Sequence, residues 1–148
     1  DGTSAGKRSQ CAAAPAADAA AAGGQHLPRP GRRTGGPDGQ TAAVFVSFDQ
    51  KPTKDEILKL WADFKGAPQE LELPSAPKQF IHYFEENDRP QAKLDRNLEG
   101  GMAVSTGRLR EDTQYDYKFV CLSHNTLRGA AGGGVLLAEL LAAKGYFD

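Results

Sequence analysis

The 148-residue sequence changes character near residue 36, and that change limits where a folded core can lie. Between Asp1 and Gly36 there are 10 Ala, 7 Gly, 3 Pro and 4 Arg, and Leu27 is the single large apolar residue. Ordering backbone costs roughly 1–2 kcal/mol per residue, which a segment so poor in apolar surface cannot offset by burial. The remaining 112 residues carry 33 large apolar side chains, so the core is expected within Pro37–Asp148. Residues 1–36 read as a low-complexity Ala/Gly/Pro/Arg-rich tail, disordered or non-native. A GC-rich coding region read out of frame, or a wrong exon join, would produce such a stretch. The apolar run Ala19–Ala22 is too short for a secretory signal, and Ser4 and Ser9 are too few serines for a transit peptide. Ala12–Ala22 could form helix, but Pro15 and Gly23–Gly24 box it in.

Charge excludes some classes. The chain has 18 Lys+Arg against 19 Asp+Glu, a net charge of -1, which argues against a generally basic nucleic-acid binder. Cys11 and Cys121 are too few for a disulfide scaffold or a four-cysteine zinc site, so a reducing, cytoplasmic setting without a metal is expected. No apolar run reaches the 18 residues that a membrane-spanning helix needs. Asp1 stands where an initiator Met would, so a processed or truncated start is expected.

Within 37–148 the pattern predicts an α+β fold. Thr41–Phe48 reads as a strand covered on both faces, because its apolar residues run on without a break. Thr53 and Glu56 form a capping-box signature, followed by Ile57, Leu58, Leu60, Trp61 and Phe64 at helical spacing and Gly66 as a stop. Pro68–Pro77 reads as loop, Gln79–Phe84 as a short strand and Glu85–Arg96 as a polar stretch. Met102–Leu109 and Tyr115–Ser123 read as an antiparallel hairpin. Ala130–Lys144 reads as a helix apolar almost all round, and therefore buried here or against a missing partner, with Gly145 ending it.

Ser123–Gly134 runs from strand into helix through a glycine-rich turn. Such a turn can hold an anion on free N–H groups, or it can permit tight packing of the helix; pattern alone leaves both open. Cys121 and His124 form a C-x-x-H pair, but residues so placed at a strand end point to opposite faces. A structural cysteine and a capping histidine are the simpler reading. His82 reads as an ordinary strand histidine, and Glu85, Glu86 and Asp88 as a solvated acidic turn. Arg108 and Arg110 share a strand face and could grip a phosphate or carboxylate, or form surface ion pairs.

Five segments together resemble one family. DGQTAAVFVSF (38–48), LPSAPKQF (73–80), NDRPQAKLDR (87–96), GMAVSTGRLR (101–110) and FVCLSHNTLRGAAGG (119–133) resemble, in order and spacing, the C-terminal part of aspartate-semialdehyde dehydrogenases of the fungal/archaeal branch. The resemblance implies a glyceraldehyde-3-phosphate dehydrogenase-like α+β domain, incomplete here, with a mixed or largely antiparallel sheet. It also implies an NADP-dependent oxidoreductase of lysine, threonine, methionine and isoleucine biosynthesis that interconverts aspartyl phosphate and aspartate semialdehyde. In that family a cysteine thiolate forms a thioester, a histidine moves the proton and the nicotinamide exchanges hydride.

Carried over by motif, Arg33 falls at the substrate-binding arginine and Gln40 at the catalytic histidine, where an amide cannot exchange a proton near neutral pH. Asn125, Thr126, Gly129, Ala130, Gly132 and Gly133 fall at the cofactor-facing positions. Neither a dinucleotide glycine fingerprint nor the family's cysteine motif occurs in this sequence. The expectation is therefore an inactive fragment that forms homo-oligomers, with 102–123 as dimer surface. The rivals are a non-catalytic module pairing with an intact homologue and, least favoured, a free-standing enzyme using Cys121 and His124. A small-molecule substrate, and no nucleic acid or membrane, is expected as partner.

Overall fold

The computed structural model describes residues 29–36 and 39–147. Five strands form one mixed sheet: β1 (Arg29–Gly36), β2 (Gly39–Val46), β3 (Ile81–Phe84), β4 (Val104–Glu111) and β5 (Tyr117–Ser123), in the order β1-β2-β5-β4-β3. Only β3 and β4 run parallel; the other pairings are antiparallel. The α+β architecture and the 104–123 hairpin are as the sequence predicts.

The N-terminal boundary differs. β1 lies inside the segment read as tail, and it pairs with β2 from Arg29↔Phe45 to Gly36↔Gly39. Its residues lack a strand-like pattern, and the ladder comes from backbone groups meeting an adjacent strand. The expectations for residues 1–28, including the Ala12–Ala22 helix and any role for Cys11, lie outside the described residues.

Strand register sorts the two faces. Gln40, Ala42, Val44 and Val46 share a face with their β5 partners Ser123, Cys121, Phe119 and Tyr117. Helix α1 (Lys54–Asp63) covers part of that face. Its Ile57 is buried with Leu109 and Tyr117, and the Trp61 ring meets Phe119 edge-on with centroids 5.0 Å apart. Thr53 caps the helix as expected: Oγ1 accepts from the Glu56 N–H at 3.3 Å, and the Glu56 carboxylate accepts from the Thr53 N–H at 2.7 Å. Leu60, grouped with the apolar repeat, is 67% exposed on the outer side. A crevice of about 170 Å³ between α1 and the sheet is lined by Val44, Val46, Phe48, Ile57, Trp61, Leu109 and Phe119, all apolar, and so brings no titratable group to bear.

The other face receives the 89–95 segment, which includes α3 (Ala92–Asp95). A Cβ at Gly107 would lie 2.7 Å from the Arg89 carbonyl oxygen, so only glycine lets this segment approach β4. The buried Asp95 carboxylate accepts from the Arg89 guanidinium and, at 2.6 Å, from the Gln91 N–H. The hydrogen bond that its guanidinium donates to Asp95 raises the Arg89 pKa above its ordinary value. With β1 outside it and α1 shifted toward β4, β2 is only half-buried beyond Gly39, not sealed on both faces.

One further expectation changes, and one left open is narrowed. The proline-broken stretch contains a short helix, α2 (Ala67–Glu70), because Pro68 sits in a first turn where a missing N–H breaks no hydrogen bond. Helix α4 (Gly132–Ala143) is apolar but mostly uncovered. Leu136 is buried with Leu73 and Met102, whereas Val135 and Leu137 are 52% and 56% exposed. Gly145, at φ 73°, closes α4 as expected, with the Tyr146 N–H bonded to the Leu141 carbonyl and the Gly145 N–H to that of Ala142.

Candidate functional site

The register of β2 against β5 brings distant sequence positions together. Gln40 pairs with Ser123, so Gln40 sits where β5 gives way to the glycine-rich turn. Arg33 is registered on β1 opposite Ala42, two residues along β2 from Gln40. Gln40 is half-buried, and its amide has no proton to exchange near neutral pH.

The turn is not an open anion cradle. His124 Nδ1 accepts from the backbone N–H groups of Thr126 at 3.1 Å and Leu127 at 3.2 Å, so the first free donors are already used. The chain then makes a π-turn over Leu127–Ala131, with Gly129 N–H bonded to the His124 carbonyl and Ala131 N–H to that of Thr126, and runs directly into α4. This use of Nδ1 turns His124 to its own turn as a cap, in line with the simpler reading of the Cys121–His124 pair. Cys121 is half-buried in β5.

The glycines divide by role. A Cβ at Gly132 would lie 2.6 Å from Met102 Sδ and 2.8 Å from the Leu127 carbonyl oxygen. One at Gly133 would lie 2.7 Å from the Arg128 carbonyl oxygen. Both positions serve close packing of the π-turn. A Cβ at Gly129 would meet only the His124 carbonyl oxygen, at 3.5 Å, and one at Gly134 nothing within 4 Å. Of the carried-over positions, Thr126, Gly129 and Ala130 are exposed, Asn125 is half-exposed, and Gly132 and Gly133 are partly covered.

Sequence reasoning missed the support behind this turn. Glu99, Gly100 and Gly101 take three successive left-handed conformations, which bring Gly101 so close to Leu127 that a Cβ would lie 2.5 Å from its Cδ1. The Glu-Gly-Gly triplet was the available signal. Arg128 stacks on Phe80 with its guanidinium carbon 4.5 Å from the ring centre, and burial lowers its pKa. On the far side of α4, Glu139 accepts from Ser75 N–H at 3.0 Å and Ser75 Oγ at 2.6 Å. Arg108 and Arg110 are both exposed with Leu109 buried between them, on an irregular stretch of strand. The ladder shifts between Gly107 and Arg110, Arg108 takes φ 59°, and Arg110 bonds the Arg108 carbonyl oxygen. Among the described residues no group of three or more His, Cys, Asp or Glu could hold a metal ion. No helix among them is long and apolar enough to cross a membrane.

Comparison with known proteins identifies the family of this region. The model of the semialdehyde dehydrogenase dimerisation domain matches residues 32–128. The chain belongs to that family. The match begins within β1, ahead of the boundary read at residue 36. The aspartate-semialdehyde dehydrogenase of Schizosaccharomyces pombe is 48% identical over 111 residues, covering 73% of this chain and 31% of the relative. The malonyl CoA reductase (NADP) of Metallosphaera sedula is 43% identical over 112 residues, 74% of this chain and 31% of the relative. Among solved structures, the aspartate-semialdehyde dehydrogenase with NADP from Candida albicans superposes with a TM-score of 0.66 at 44% identity, over 73% of this chain and 31% of that one. The chain thus spans about a third of the length of the relatives it matches. Because relatives with two different activities share this region, it does not by itself discriminate between their substrates.

Proposed function

We propose that this region belongs to an NADP-dependent aspartate-semialdehyde dehydrogenase, and that the 148-residue chain by itself does not turn over. The observation that carries the reading is the Ser123–Gly133 turn beside Gln40: a family-like wall with an amide where a proton carrier is needed. In the working family the bound dinucleotide supplies hydride exchange. Here Asn125, Thr126, Gly129 and Ala130 are accessible enough to face one side of it, and the exposed glycine backbone allows close approach. The turn therefore fits the nicotinamide side. No glycine-rich cradle for the pyrophosphate occurs among the described residues, and Gly132 and Gly133 act from inside the turn rather than at its surface.

Arg33 is the candidate for the substrate carboxylate. Copies of the chain associate, with the 102–123 hairpin as the surface. Pairing with an intact homologue is the second reading, and it is favoured by the dimerisation-domain match combined with Gln40.

The test is phosphate-dependent reduction of NADP with aspartate semialdehyde as substrate, followed by absorbance. No rate above background is expected from the chain alone, and steady turnover would overturn the inactive reading. Loss of that turnover in Cys121→Ala would revive the free-standing enzyme. Light scattering of the chain with and without an intact homologue separates self-association from hetero-pairing.

A further inference from the structure

We propose that His124 is the positioning residue of the glycine-rich turn, acting as a cap that holds only while its imidazole is neutral. Nδ1 accepts two backbone N–H groups, those of Thr126 and Leu127, and can do so only as a lone pair, with the ring proton on Nε2. A second proton converts both ring nitrogens to donors, and both hydrogen bonds are then lost. The same turn is tied a second time through the His124 backbone, whose carbonyl accepts from Gly129 N–H. One residue thus sets the start of the π-turn and the placement of Asn125 and Thr126 ahead of it.

The surrounding charges leave the ring to this task. The 98–102 turn packs against it, with a Cβ at Gly101 lying 3.3 Å from His124 Cδ2. That turn's one charged group, Glu99, accepts from Lys78 N–H at 3.0 Å, and its other oxygen lies 4.0 Å from His82 Nε2. Arg128, within the π-turn, lies over Phe80, and Glu139 on α4 is held by Ser75. The neutral ring is the form bonded in the ordered turn, so protonation of the ring opposes that order. That the ordered turn serves a nucleotide rests on the reading above; the cap itself does not.

The experiment is amide hydrogen exchange by NMR on the full 148-residue chain without nucleotide, corrected for intrinsic rates. Protection at Thr126 and Leu127, relative to Leu122 in β5, is expected to fall about tenfold or more between pH 8 and pH 5.5. His124→Asn, whose side-chain oxygen can accept the same N–H groups but does not titrate, is expected to keep protection at both pH values. His124→Leu is expected to lack it at both. Wild-type protection independent of pH, or retained in His124→Leu, would overturn the proposal. If His124→Leu fails to fold, as Leu122 exchange would reveal, the wild-type pH profile and the Asn rescue still decide. Nucleotide titration at pH 8 is a separate measurement, and a negative result there counts only against the cofactor reading.

Discussion

Helices α1 and α4 are of similar length and each fully buries one residue, but they differ in how much apolar surface they carry. α1 is amphipathic, carries its own cap at Thr53 and Glu56, and buries Ile57 with Leu109 and Tyr117 while its polar side meets solvent. α4 is far more apolar, yet buries only Leu136 and leaves Val135 and Leu137 more than half exposed. Apolar content therefore measures what a helix needs covered, not what this chain covers. The first helix brings Ile57 and Trp61 onto the sheet and leaves Leu60 outside. The second is held through Leu136, Leu140 and the Ser75–Glu139 hydrogen bonds, and leaves Val135 and Leu137 as exposed apolar surface.

The largest expected effect tests the buried contact of Leu136. Leu136→Ala should cost ~2–4 kcal/mol in denaturant unfolding, as for other buried leucines, while the adjacent Leu137→Ala should cost under ~0.5 kcal/mol. Equal losses would mean that α4 is covered after all. Next come the glycines where α4 begins. Gly132→Ala forces a Cβ onto Met102 and the Leu127 carbonyl and should cost ~1–3 kcal/mol, whereas Gly134→Ala enters open space and should gain ~0.5–1 kcal/mol. Thermal melts of the two variants should move in opposite directions.

The cap of α1 is a smaller effect. Thr53→Ala should cost ~1 kcal/mol. Its pH dependence has a definite sign: the hydrogen bonds from the Thr53 backbone and then its side chain lower the Glu56 pKa below the ordinary 4.5. The capping contribution is thus present above that pH and lost as pH falls below it. The melting-temperature gap between wild type and Glu56→Gln should be clear at pH 7 and close near pH 3. The smallest effect on stability is expected from Leu137→Gln, which should leave unfolding almost unchanged but reduce self-association in sedimentation velocity.

What the sequence revealed depended on how far each signal reaches. The α1 cap was legible because Thr53 and Glu56 are three residues apart and meet in any helix that begins there. The hairpin was legible from two apolar runs flanking a polar turn. β1 was not, because Arg-Pro-Gly-Arg-Arg-Thr-Gly-Gly has no alternation to read and is a strand only through pairing with β2. The meeting of Gln40 with Ser123 was equally hidden, since a register between remote strands leaves no mark in either segment. At the glycine turn the sequence left two roles open, and the structure divides them by position. Gly132 and Gly133 pack, while a Cβ at Gly129 would meet only the His124 carbonyl oxygen and one at Gly134 nothing.

The outermost strand has a consequence for how copies of this chain can meet. An edge strand offers a row of unpaired backbone groups on which another chain can add a strand, and β1 is a poor template for that. Pro30 supplies no N–H, and the ladder slips between Pro30 and Arg33, so the rim is neither continuous in donors nor regular in spacing. An identical copy therefore meets no regular row of backbone donors along this strand.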